Sequence, residues 1–173
     1  MKIGVIGAGS IGKLYAERWK EAGHNVVVSS RNPNALSDFS ARTGIDATTV
    51  AEAAAFGDAI LLAVNYWTLD EALERIAPHV SGKLVIDATN PLVFVDGEVA
   101  RATPEEELAG VAMAARLPQA RVGKAFTSLW TGHVERSGID GNARLAMMLA
   151  ADDDADRAPL SAPGRAAPLD PVE

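Results

Sequence analysis

The stretch Gly7-Ala8-Gly9-Ser10-Ile11-Gly12 limits what this chain can fold into more than any other. It follows Lys2 to Ile6, a short, largely apolar run of the kind that a parallel strand buried on both faces requires. After it, Ile11, Leu14, Tyr15 and Trp19 recur at helical spacing, Gly23 supplies a helix stop, and Asn25 to Ser29 is a second β-branched run. Strand, glycine loop, helix, strand is the context in which a G-x-G-x-x-G holds a dinucleotide. The first glycine permits a tight turn, the second lets a pyrophosphate approach the backbone, and the third lets the helix pack close to the strand. The free N–H groups and the positive dipole end of the helix opening at Ser10 would face the phosphates. The bland alternative for these glycines is a tight strand-to-helix turn that binds nothing.

The end of the second run indicates which dinucleotide. An NAD site usually carries Asp or Glu there, about 20 residues past the loop, to accept hydrogen bonds from the ribose 2′-hydroxyl. This chain has Ser29-Ser30-Arg31 and no acid. A carboxylate would repel a 2′-phosphate, whereas a hydroxyl with a guanidinium holds one through charge-assisted hydrogen bonds. Ser30 and Arg31 therefore point to NADP(H), against the plainer reading of a solvated turn before Asn32-Pro33.

The rest of the chain repeats the alternation. Asn34 to Thr43 reads as a short helix stopped by Gly44, and Ile45 to Thr48 as a short strand or extended link. Thr49-x-x-Glu52 is a capping box for a helix ending near Gly57, and Thr68-x-x-Glu71 a second one for a helix stopped by Pro78. Ala59 to Val64 and Leu84 to Ala88 are the third and fourth strands; Asn90 to Val99 reads as a loop with a turn at Asp96-Gly97. Thr103-Pro104-Glu105-Glu106 offers N-cap, Pro at N1 and Glu at N3 for a helix to about Leu117, followed by strands over Arg121 to Phe126 and Ala143 to Ala151. This order predicts an α/β protein with a doubly wound, mostly parallel sheet, a Rossmann-like NAD(P)-binding fold, over residues 1–154. Pro159, Pro163, Gly164 and Pro168 are incompatible with one regular helix, so residues 155–173 read as a proline-rich irregular tail.

Composition narrows the function. A chain of 173 residues with 48% apolar content buries a real core. Its net charge of −7 argues against nucleic acid or an anionic membrane surface as partner. No apolar run approaches the ~20 residues that span a bilayer, and Met1-Lys2-Ile3 enters a strand directly, so the cytoplasm is the expected location. The absence of cysteine excludes disulfides, thiolate catalysis and Cys-ligated metals. His24, His79 and His133 show no metal-ligand spacing, and no metal is expected.

Ligands of such sheets bind beyond the carboxyl ends of the strands. There stand Asn65-Tyr66-Trp67, Thr89-Asn90-Pro91-Leu92 and Thr127-Ser128-Leu129-Trp130. Asn65 and Asn90 can bond a ribose or carboxamide, or serve as caps and turn residues. Tyr66 and Trp67 can cover a ring, or fill core or an oligomer contact. His24 lies at the opposite end and reads as structural; His133 follows the fifth strand and can approach a substrate. Asp87 reads as a buried hydrogen-bonding residue, and Asp152-Asp153-Asp154 as a solvated turn or helix start. No residue is identified as catalytic.

Four segments together resemble the coenzyme F420-dependent NADP oxidoreductases: Gly7 to Gly12, Gly23 to Arg31, Ile86-Asp87-Ala88-Thr89-Asn90-Pro91-Leu92 and Leu117 to Phe126. The first two are shared with many NADP enzymes, including the reductase domains of metalloreductases; the last two are more specific. The similarity runs from Met1 to about Asp154. It implies direct hydride transfer between nicotinamide C4 and a deazaflavin ring, usually in a homodimer, with the 2′-phosphate on Ser30 and Arg31. With the glycine loop and the strand ends, the expected cofactor contacts are Gly7, Ala8, Gly9, Ser10, Ile11, Gly12, Ser30, Arg31, Asn65, Tyr66, Asn90 and Pro91. Archaeal members tend to have proline at the position of Asn65. Relatives also continue past the aspartate turn with a helix, a strand and further helical segments, where this chain becomes proline-rich.

Three functions fit these residues. The first is an NADP(H)-dependent oxidoreductase passing hydride to or from coenzyme F420 or a flavin-like acceptor, which needs orientation more than an acid or base. The second is a reductase of a small carbonyl or imine, which needs a proton donor, with Tyr66 and His133 as the visible candidates. The third is a non-catalytic NADP(H)-binding protein.

Overall fold

β1 (Lys2–Ile6) runs straight into the glycine loop, and α1 (Ser10–Glu21) returns the chain to β2 (Asn25–Ser29). The computed structural model describes residues 1–104, 106–137, 143–151, 153, 156, 161, 165 and 169–172. Next come α2 (Ser37–Thr43), β3 (Asp46–Thr48), α3 (Val50–Phe56), β4 (Ala59–Leu62), α4 (Leu69–Ile76) and β5 (Leu84–Asp87). β6 (Leu92–Val95) and β7 (Glu98–Arg101) form a separate hairpin, followed by α5 (Ala109–Arg116), β8 (Arg121–Ala125), α6 (Thr131–Val134), β9 (Leu145–Ala151) and β10 (Leu169–Val172).

The main sheet has the order β10-β9-β8-β5-β4-β1-β2-β3. β3, β2, β1, β4, β5 and β8 are mutually parallel, and β9 joins β8 antiparallel with β10 parallel to it. The expected doubly wound, mostly parallel sheet is thus observed, with β1 central between β2 and β4. Alternating strand side chains feed two cores. On one face Ile3, Val5, Leu61 and Ile86 pack with Tyr15 and Trp19 of α1 and Phe39 of α2. On the other, Ile6, Ile60, Leu62 and Val85 pack with α3, α4 and α5 through Ala53, Leu73, Ile76 and Met113.

Several local expectations are corrected. The helix expected over Asn34 to Thr43 begins as a 3-10 turn, Pro33–Leu36, before α2 takes over. The capping box at Thr49 and Glu52 forms, but the one at Thr68 and Glu71 does not, because the Thr68 N–H and hydroxyl both donate to the Asn65 carbonyl (each 3.0 Å). The loop expected over Asn90 to Val99 is the β6–β7 hairpin. Its strand-forming apolar run, together with positive φ at Asp96 (52°) and Gly97 (85°), gives the turn that matches strand twist. The helix expected from Thr103 starts instead at Ala109. The Thr103 hydroxyl accepts from Arg101 Nε (3.0 Å), and Glu105 of that signal lies outside the described residues.

The tail was expected to be irregular, yet its end forms β10. Leu169 is fully buried in the first core, and Pro171 is tolerated because β10 is an edge strand that need not donate outward. Asp156 is buried and ion-paired with Arg121, and Arg144 Nε bonds Asp170 (2.7 Å). Pro159, Pro163, Gly164 and Pro168, the 154/155 boundary, and Asp152 and Asp154 of the acidic run lie outside the described residues; Asp153 is an exposed bend.

Candidate functional site

The strand order reverses at β1, and the carboxyl ends of β1, β2 and β4 surround a cleft of about 280 Å³. Gly7, immediately past β1, has φ 100°, and a Cβ there would lie 2.5 Å from the Ala63 carbonyl oxygen, so only glycine fits. A Cβ on Gly12 would lie 1.9 Å from the Gly7 carbonyl oxygen; its absence lets α1 sit directly on the loop. Gly9 is different. Its φ is −77°, and a Cβ would meet nothing within 4 Å. The fold does not require glycine there, whereas a group approaching the backbone from the cleft does. Gly9 is also the N-cap of α1 without a side-chain cap bond, so the first-turn N–H groups have no capping side chain.

The second wall is Ser29-Ser30-Arg31. Ser29 is fully buried at the end of β2, lines the cleft, and its hydroxyl has no hydrogen-bond partner among the described residues. A buried hydroxyl left unpaired costs about 1–3 kcal/mol, so this one suits a ligand polar group. The Ser30 hydroxyl accepts from the Asn32 N–H (3.1 Å), and Arg31 is exposed without an ion-pair partner among the described residues. Leu36 and Val50 give the cleft an apolar flank. The third wall comes from Ala63, Val64 and Asn65 past β4 and from Thr68, Glu71, Ala72 and Arg75 of the following helix. These features fit a dinucleotide whose pyrophosphate rests on the glycine loop.

Of the residues singled out from sequence, Gly7, Ala8, Gly9, Ser30, Arg31 and Asn65 meet in this cleft. Ser10, Ile11 and Gly12 form the first turn of α1 beside it. Tyr66 instead lines a neighbouring hollow of about 450 Å³ with Leu69, Thr89, Pro104, Met113 and Arg116. Asn90 and Pro91 line neither; Asn90 Nδ2 donates to the Thr127 carbonyl (3.1 Å) and ties the loop after β5 to that after β8. His133 is exposed against Trp130, with ring centroids 5.5 Å apart, and His24 sits at the far end, 3.4 Å from the Met1 amine.

Beneath Asn90 lies a charged anchor. Buried Asp87 accepts from Lys124 Nζ (2.8 Å) and from the Thr89 N–H (2.8 Å), while Lys124 also donates to the Thr89 carbonyl (2.8 Å). Asp87 is therefore the hydrogen-bonding residue expected, and with Lys124 it fixes the turn past β5. Phe126, just past β8, has φ 65°, a conformation costing an ordinary residue of order 1–3 kcal/mol. Its ring packs 4.1 Å from Tyr15 and 6.0 Å from Trp19, which offsets that strain and turns Thr127 toward Asn90. Burial raises the Tyr15 hydroxyl's pKa above its ordinary value, so this tyrosine stays protonated.

Sequence reasoning missed Glu71 and Arg75 as cleft residues. Glu71 carries the signature of an N3 capping residue, and only the third dimension shows its carboxylate bonded to Arg75 at 2.9 Å on the cleft wall. Among the described residues no helix is long and apolar enough to cross a membrane, and no metal-binding cluster occurs.

A family model described as NADP oxidoreductase coenzyme F420-dependent matches residues 2–91. Metalloreductase STEAP3 of Rattus norvegicus is 26% identical over 144 residues, 83% of this chain and 28% of its own length. The chain spans 19–28% of the length of the first curated relatives it matches. Among solved structures, a candidate F420-dependent NADP reductase from Arthrobacter sp. FB24 superimposes with a TM-score of 0.89 at 22% identity, over 99% of this chain and 83% of that one. A pyrroline-5-carboxylate reductase from Coxiella burnetii gives 0.73 at 19% identity, over 99% and 58% of the two chains.

Proposed function

The chain belongs to the coenzyme F420-dependent NADP oxidoreductase family, and from that premise we propose that it binds NADP(H) and exchanges hydride with coenzyme F420 or a flavin-like small molecule. The observation that carries this reading is the cleft itself. It joins a glycine loop open at Gly9, a buried Ser29 hydroxyl and an exposed Arg31 at the adenosine end, the hydroxyl without a hydrogen-bond partner and the guanidinium without an ion-pair partner among the described residues. The loop and the first turn of α1 hold the pyrophosphate. Ser29 reaches the ribose, and Ser30 with Arg31 hold the 2′-phosphate. Asn65 lines the cleft past β4, and the nicotinamide would extend from there toward the ends of β5 and β8, where Asn90 ties the two loops together. When bound, the nicotinamide gives or takes a hydride at C4. The protein's task is then to orient two rings and exclude water, for which no acid or base is needed.

A second reading is a carbonyl or imine reductase. Tyr66 lines the 450 Å³ hollow beside Thr89, which offers one hydroxyl as proton donor next to the nicotinamide end. Oxidation of NADPH with F420, FMN, FAD and a panel of small carbonyls and imines, each followed by absorbance, separates the readings. Turnover with F420 or a flavin, unaffected by Tyr66→Phe, is the expected result. Turnover with an imine or carbonyl alone, lost in Tyr66→Phe, would replace it with the second reading. Tight NADPH binding without turnover on any acceptor would leave a nucleotide-binding protein without catalysis.

A further inference from the structure

The end of β2 carries no acid, but the cleft is not free of one. Glu71 and Arg75, one turn apart on α4, both line the cleft that Ser30 and Arg31 enter from the other side. Glu71 is released from capping duty, because the Thr68 N–H is satisfied by Asn65 and not by the Glu71 carboxylate. Its carboxylate instead accepts from Arg75 at 2.9 Å, with the two side chains 44% and 55% exposed. Among the described residues the charged groups of the cleft are therefore Arg31, Arg75 and Glu71, two positive and one negative.

We propose that Glu71 is a specificity-determining residue, which holds back the preference for the 2′-phosphorylated nucleotide by occupying Arg75 and opposing the charge of Arg31. The inference rests on the NADP(H) reading of this cleft. Its physical content is a sum of charges. A 2′-phosphate brings negative charge into the cleft, so it meets Arg31 and Arg75 as attraction and Glu71 as repulsion, while an uncharged ribose hydroxyl carries no net charge for the three to act on. Neutralising Glu71 removes the repulsion and frees Arg75 to bond the phosphate. Neutralising Arg75 leaves Glu71 uncompensated. Removing both charges restores the original balance.

This predicts opposite signs from neighbouring substitutions. With NADPH and NADH as probes in titration calorimetry on the full chain, Glu71→Gln is expected to tighten NADPH by roughly 2- to 5-fold, the range for a half-exposed charge. Arg75→Met should weaken NADPH by a similar factor, and NADH should change by less than about 2-fold in each. The double variant should return the NADPH-to-NADH ratio to the parent value, and raising the salt should shrink all of these differences. A plain helix-supporting ion pair would instead lower thermal stability slightly in both single variants and leave the ratio unchanged; that outcome overturns the proposal and leaves NADP(H) binding intact. A parent chain that binds neither nucleotide would remove the underlying reading, and this inference with it.

Discussion

The ends of β1, β2 and β4 and the ends of β5 and β8 are built differently. The first three converge on one cleft through short turns that present a glycine loop, a buried hydroxyl and an exposed guanidinium, the last two without a hydrogen-bond or ion-pair partner, respectively, among the described residues. The last two are fixed to each other by long-range bonds, Asp87 to Lys124 and Asn90 to Thr127, and give rise to a hairpin with exposed apolar side chains. Phe94 is 72% exposed, Val99 60%, and Trp130, past β8, 70%. The cleft at β1, β2 and β4 is thus specified by local chain geometry, whereas the ends of β5 and β8 depend on contacts between residues more than 30 positions apart.

The largest effect is expected at β10, an edge strand that also depends on distant contacts. Leu169→Ala should cost about 2–5 kcal/mol, the usual range for a buried leucine, and removal of residues 155–173 at least as much. Urea unfolding followed by circular dichroism measures this. A truncated chain as stable as the parent would mean that β10 adds nothing to the core.

Within the nucleotide region, two glycines separate folding from binding. Gly12→Ala forces a Cβ toward the Gly7 carbonyl and should destabilise by about 1–3 kcal/mol. Gly9→Val should shift stability by less than about 1 kcal/mol, since its Cβ enters open space, yet abolish nucleotide binding. Equal stability losses at both positions would mean that Gly9, like Gly12, is demanded by packing and not by a ligand. Arg31→Ala comes next: NADPH should weaken by roughly 10- to 100-fold, as expected for one charge-assisted bond, while NADH barely moves. Parallel titrations at two ionic strengths check it, and equal losses for both nucleotides would move the 2′-phosphate elsewhere.

The smallest effect concerns the start of α3, whose Val50 flanks the cleft. Bonds from the Thr48 hydroxyl, then the Thr49 N–H and hydroxyl, hold the Glu52 carboxyl at a pKa of about 2, below its ordinary 4.5. A depressed folded pKa contributes stability that is complete above about 4.5 and lost as pH falls toward about 2. The melting temperature of the parent should therefore exceed that of Glu52→Gln near neutrality, with the gap closing across that acid window. A gap independent of pH would assign the difference to something other than the charged cap.

The sequence displayed the nucleotide region because its signals are local. β1, β2 and the start of α1 follow from apolar runs and glycine spacing, and the capping box at Thr49 forms as written. The same logic failed where a distant partner intervened. Thr68 turned to the Asn65 carbonyl, Thr103 was taken by Arg101, and Leu169 found a core that no tail residue signals. Phe126 adopts a left-handed conformation that no sequence rule assigns to phenylalanine, and only Tyr15 and Trp19 above it explain why. Glu71 is the most instructive case, since a correct motif pointed to the wrong role and hid a cleft residue.

The most direct test is titration calorimetry of the full chain and of Gly9→Val with NADPH and NADH. NADPH should bind the parent at least about tenfold more tightly than NADH, and Gly9→Val should bind neither while melting near the parent temperature. NADH binding as tight as NADPH, or NADPH binding undiminished in Gly9→Val, would contradict an NADP(H) site at the glycine loop.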